Sequence, residues 1–180
     1  MRKAFTLLEV TLAMLVMAGG ILAIVSLYSL GFREQNQSNE DVAASALADQ
    51  VFGRLTMALS DTNISWVAFN DIKNSPSDGW EGYFDGNGNV ISGTRSVAEA
   101  AFHEVMTHCG QSGVASGFPS MPADGCVTAC GLVVTHKKDE PVVHLSFRAA
   151  RRESLLISSP LYYMAIRFQG KVDSVGGNAP

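Results

Sequence analysis

Residues 2–32 read RKAFTLLEVTLAMLVMAGGILAIVSLYSLGF, and the fold is decided here. From Val10 to Phe32 there are 23 residues without a charge, enough to cross a hydrocarbon layer of about 30 Å as a helix. Arg2 and Lys3 stand directly before this run and no comparable positive cluster follows it, so the positive-inside rule predicts a cytoplasmic N-terminus with everything after Phe32 on the far side. One residue is out of character. Glu9 sits among Phe5, Leu7, Leu8, Val10 and Leu12, and a carboxylate within a membrane costs about 2.5–3.5 kcal/mol on the mildest insertion scale. Such a group either finds a partner in another protein segment or reaches for the headgroups from the shallow end of the helix.

The pattern around Glu9 favours a partner. Lys3-Ala4-Phe5-Thr6-Leu7-Leu8-Glu9-Val10 resembles the processing site of the type IV pilin and pseudopilin superfamily. In that family a short basic leader ends in a small residue, usually Gly, and a membrane peptidase cuts before an aromatic residue and methylates the new amine. A Glu follows at the fifth place of the mature chain, ahead of an apolar helix. Phe5, Thr6, Leu7, Leu8 and Glu9 match at that spacing, and Ala4 departs from the usual Gly. The resemblance implies cleavage between Ala4 and Phe5, N-methylation of Phe5, and Glu9 as the assembly carboxylate. The amine made at Phe5 would lie one helical turn, about 6 Å, from Glu9. In the family the carboxylate of an incoming subunit is thought to pair with the amine of its predecessor, which offsets the desolvation of both.

The helical pattern continues past the apolar run. Val42, Ala43, Ala46, Leu47, Val51, Leu55, Ala58 and Leu59 recur at three- and four-residue spacing, so one helix is expected from about Phe5 to about Ser60, roughly 80 Å long. Gly19-Gly20 interrupts it at about 1 kcal/mol for each Gly. Close helix packing and local unwinding on leaving the bilayer both explain the pair.

Beyond Ser60 the composition turns to Gly, Ser, Asn and Asp with short apolar runs, the mark of loops and strands. Asp71 to Gly82 is expected to be a loop. Asp85-Gly86-Asn87-Gly88-Asn89 is expected to turn a hairpin between Tyr83-Phe84 and Val90-Ile91. Val97 to Cys109 fits a strand or a short helix. Strands are predicted at Gly131–His136, Val142–Arg148 and Leu161–Gln169, in an antiparallel meander because no helix intervenes. Gly176 to Pro180 is expected to fray. The expected fold class is therefore α+β: a leader at 1–4, a transmembrane and assembly half-helix at 5–32, an amphipathic half at 33–60, and a head at 61–180 with a small antiparallel sheet, which resembles a pilin.

Other chemistry finds little support. The 13 Lys+Arg against 17 Asp+Glu give a net charge of -4, a poor match for nucleic acid or an anionic membrane surface. Arg148, Arg151 and Arg152 are expected to lie on a solvated turn. His103-Glu104-Val105-Met106-Thr107-His108 approaches a zinc-protease motif, but its histidines are five apart and stand about 140° from each other on a helix. Asp85, Asn87 and Asn89 open like a calcium loop, yet Val90 replaces the turn Gly and Ser96 the bidentate Glu. A Gly- and Asn-rich turn explains the segment, with calcium as the alternative. Cys109, Cys126 and Cys130 would sit outside the cytoplasm, where disulfides form. One bridge, from Cys126 to either Cys109 or Cys130, is expected, and the spacing does not choose between them.

The resemblance implies a minor pilin or pseudopilin, not an enzyme, needing no cofactor and no metal. It would be processed by the prepilin peptidase, handled by an inner-membrane assembly platform, and packed with other such subunits into a filament for type II secretion or a type IV pilus. The competing reading is a single-pass anchor holding a binding or enzymatic domain outside the cytoplasm. A secretory signal cleaved near Gly19 is the weakest reading, since Glu9 would interrupt its core.

Overall fold

In the computed structural model, which describes residues 6–74, 79–111, 117–123 and 125–170, the chain opens with one helix of 53 residues, α1 (Leu7–Leu59). A short helix α2 (Trp66–Asn70) and a longer one, α3 (Thr94–His108), follow, then strands β1 (Ala129–His136), β2 (Val142–Ala150) and β3 (Tyr162–Arg167). Single 3-10 turns stand at Glu81–Tyr83 and Glu153–Leu155. The chain divides into two compact units between Asn39 and Glu40.

The first unit is helix alone, and every one of its described residues is exposed. The second unit is a head whose core begins on the last turns of α1. Ala44, Leu47, Ala48, Val51, Phe52, Leu55, Ala58 and Leu59 are buried there, a three- and four-residue stripe that faces protein. It is rotated from the expected one, because Val42 and Ala46 lie on the solvent side and Ala44, Ala48 and Phe52 replace them. Phe52 meets Phe147 of β2 edge to face, ring centroids 6.3 Å apart, and the Thr56 hydroxyl donates to Met164 Sδ of β3 at 3.3 Å. Burying a side chain such as Leu55 contributes about 1.5–3 kcal/mol.

The sheet has the order β1-β2-β3, antiparallel throughout, as the three apolar runs predicted. Alternation sends Cys130, Leu132 and Val134 of β1 and Val143, Leu145, Phe147 and Ala149 of β2 into the core. β1 is buried on its other face too, under Trp80 and Tyr83. A Cβ at Gly131 would lie 2.6 Å from Trp80 Cζ3 and 3.2 Å from Tyr83 Cε1, so only Gly admits the two rings. Tyr83, Val133, Ala150 and Leu156 form a second small cluster on this face.

The ambiguous segment before the cysteines is helical: Ala98, Ala101, Phe102, Val105 and Met106 of α3 are buried at helical spacing. The Asp85–Asn89 turn closes only an isolated bridge, Phe84 to Val90, not a full hairpin. Arg148 corrects the expected solvated turn. It lies on β2, half-buried, its guanidinium 5.4 Å from the Trp80 ring centroid and donating to the carbonyls of Leu156 and Ile157. Arg151 pairs with Glu40 at 3.2 Å. Residues 1–5 and 171–180, with Ala4, Phe5 and the expected frayed tail, lie outside the described residues.

Candidate functional site

The site singled out by sequence is the start of α1, and its local geometry is a reciprocal cap. Glu9 Oε2 accepts from the Thr6 backbone N–H and from the Thr6 hydroxyl, both at 3.0 Å. In return the Glu9 N–H meets Thr6 Oγ1 at 3.3 Å. This is the Thr-x-x-Glu capping box, which satisfies two of the amide donors that every helix leaves unpaired at its N-terminus. The four residues Thr6-Leu7-Leu8-Glu9 carry that signature in plain view, and the processing pattern read from the same residues hid it. The cap needs only Thr6 and Glu9, both beyond the expected cut before Phe5.

After the cap, α1 is apolar on all sides. Leu12, Leu15, Val16, Ile21, Leu22, Leu27 and Phe32 are among its exposed residues, and Glu9 is the one charged residue from Leu7 to Phe32. A helix of this length and composition can cross a membrane. Within this apolar stretch, the hydroxyls of Thr11 and Ser26 donate back to the carbonyls of Leu8 and Leu22, at 3.0 and 2.8 Å, so each finds its acceptor inside the helix.

The cysteines lie in the head. Cys109 follows α3 directly and Cys130 is on the core face of β1. Burial, with the Asp61 carboxylate adding to it, pushes the Cys109 thiol up to about 12. Burial likewise pushes Cys130 up to about 12, Arg95 opposing and Glu99 adding. Both are thus protonated, poor nucleophiles at neutral pH. Cys109 and Cys130 stand as buried free thiols in the structure, and Cys126 lies half-buried ahead of β1.

The remaining candidates resolve into local structure. Asp85 Oδ1 accepts from the backbone N–H groups of Asn87 and Asn89 at 2.9 and 2.8 Å, and Oδ2 from the Asn89 side-chain amide at 3.2 Å. Those bonds, the Asn89 ones foremost, hold its carboxyl below the usual range, and both oxygens serve the turn. His103 and His108 are on regular α3, where a spacing of five separates them. Among the described residues no three His, Cys, Asp or Glu side chains are grouped to hold a metal.

No family model, curated protein or solved structure matches this chain.

Proposed function

We propose that this chain is a minor pilin or pseudopilin, a membrane-anchored subunit cut before Phe5, methylated there, and packed through α1 into a filament. The observation that carries the reading is Glu9, the lone charge of an exposed apolar half-helix, four places after an aromatic residue and a basic leader. An apolar helix with no buried residue needs lipid or other helices around it. A filament supplies the second after a membrane has supplied the first. Its partners on this reading are the prepilin peptidase, the inner-membrane assembly platform and other subunits of the filament, with the head outside the cytoplasm. Secretion and pilus systems both fit.

The capping box sharpens the test, because Gln at the fourth place of the box keeps the bond to Thr6 and removes the charge. Glu9→Gln should leave membrane insertion and head stability unchanged while filament incorporation, followed by co-purification with neighbouring subunits, falls to background. Incorporation at the wild-type level would show that Glu9 acts as a cap alone and would sink the charge-pairing reading.

A further inference from the structure

The two edges of the head's sheet are treated differently. At the β1 edge the Tyr83 hydroxyl donates to Leu132 O and accepts from Leu132 N–H, both at 2.8 Å, and Asn74 Oδ1 accepts from the His136 N–H at 2.6 Å. Side chains thus occupy that edge at Leu132 and at the His136 N–H. The Leu132 groups therefore point away from β2, which sets the alternation across the sheet. Phe147, opposite Leu132, turns its groups to Tyr162, and the bonding continues at Leu145 with Met164 and Val143 with Ile166. The Phe168 N–H, donating to Pro141 O at 2.9 Å, keeps the same alternation.

The backbone N–H and C=O groups of Tyr163, Ala165 and Arg167 thus face outward from β3. No described residue bonds to them, and all three side chains are exposed. An open edge of this kind is a template for another strand. Its sequence is self-complementary. Antiparallel pairing of two copies about a two-fold axis through Ala165 sets Ala165 opposite Ala165, a small pair, and each Tyr163 opposite the other copy's Arg167, an aromatic against a guanidinium. Three residue pairs would exchange about six backbone hydrogen bonds. Tyr163 is ready for the contact: its ring stacks on His144, centroids 5.9 Å apart, with its hydroxyl bonded to His144 Nδ1, so it stands over the sheet face and leaves the edge clear. A register centred on Arg167 would oppose two like charges.

We infer that the β3 edge pairs with the β3 edge of a second copy of this chain, antiparallel and centred on Ala165, joining two heads into one six-stranded sheet. The two-fold pairing is isologous and uses both β3 edges, which ends the assembly at two copies. The inference stands on the head alone and does not rest on the anchor or the filament.

The test uses the full chain in detergent, in a Cys126→Ser background. Opposed residues of a hydrogen-bonded antiparallel pair have Cα atoms about 5.5 Å apart, within disulfide reach. Ala165→Cys should therefore oxidise to a covalent homodimer, Tyr163→Cys or Arg167→Cys alone should not, and an equal mixture of those two should. Ala165→Pro removes an outward N–H that β3 does not use for its own ladder. It should leave the head's melting unchanged and weaken dimerisation by about tenfold or more. A chain that stays monomeric, a dimer indifferent to Ala165→Pro, crosslinking through Tyr163→Cys alone, or an Ala165→Cys thiol captured by a different protein would each overturn the self-pairing.

Discussion

Between Leu7 and Asn39 no residue of α1 is buried, whereas between Ala44 and Leu59 eight are. Both stretches are regular helix, and they differ in how apolar residues are arranged. From Leu7 to Phe32 the first is apolar around its whole circumference, with Glu9 at its capped end as the one charge, and Arg33 and Glu34 come only after that run. The second has a stripe three or four residues apart, with Asp49, Gln50 and Arg54 on other faces. A stripe can be satisfied by the chain's own sheet, and Phe52 against Phe147 does so. An all-round apolar surface cannot be covered by one face of a sheet, and a hydrocarbon layer or several neighbouring helices are the surroundings that would cover it. A length of helix that can cross a membrane and a length that supports the head are therefore two parts of one helix, separable along it.

The separation can be broken by substitution. Phe52→Ala opens a void beneath the sheet and should lower the head's unfolding free energy by about 3–5 kcal/mol, whereas Leu22→Ala, on the exposed half, should change it by less than about 0.5 kcal/mol. Denaturant melts of the two variants in detergent decide this, and equal losses would mean that the halves stabilise one structure.

Charge gives the opposite asymmetry. Val16→Lys should cost about 2.5–3.5 kcal/mol of insertion and shift the protein from the membrane fraction. Met57→Lys adds the same charge to a residue that is 79% exposed on the head's helix and should leave the fractionation as it was. Val16→Lys retained at the wild-type level would remove the membrane from the account of the first half.

A smaller effect sharpens the description of the head. Tyr83→Phe deletes the hydroxyl that meets both backbone groups of buried Leu132, and the orphaned pair should cost about 1–3 kcal/mol. A thermal melt reads the loss, while membrane retention should not change. Burial holds the Tyr83 phenol above its ordinary range, the bond to Leu132 opposing, so the group is neutral through the physiological range and the loss should be the same from pH 6 to pH 8.

Much of this fold was legible. The three strands were read to within about two residues at most ends, because an apolar run bounded by turn residues is a local signal. Helix α3 was legible in principle: Ala98, Ala101, Phe102, Val105 and Met106 repeat at helical spacing, and the apolar content of the segment alone left it ambiguous with a strand. Helix α2 escaped because it has five residues, its one cue being Ser65, whose hydroxyl caps Ala68 N–H. Val42 and Phe52 both fit a three- and four-residue stripe, and only the sheet beneath decides which stripe turns inward.

Tyr83 could not be found at all. Its partner Leu132 is 49 residues away, and nothing local marks a tyrosine that will close a strand edge. The open β3 edge is hidden for the same reason, since the direction of its backbone groups follows from pairing and not from composition. At the N-terminal site the residues were legible and half of their role was not. The Thr6–Glu9 cap is as local as a signal can be, yet a second pattern on the same four residues stood in front of it.

The most direct test of the proposed function is the N-terminal mass of the protein purified from its native membranes. The account predicts a chain that begins at Phe5 and carries one added methyl group, with the Thr6–Glu9 cap as the first structure after the cut. A chain that still begins at Met1 would contradict it and leave α1 as an uncut anchor.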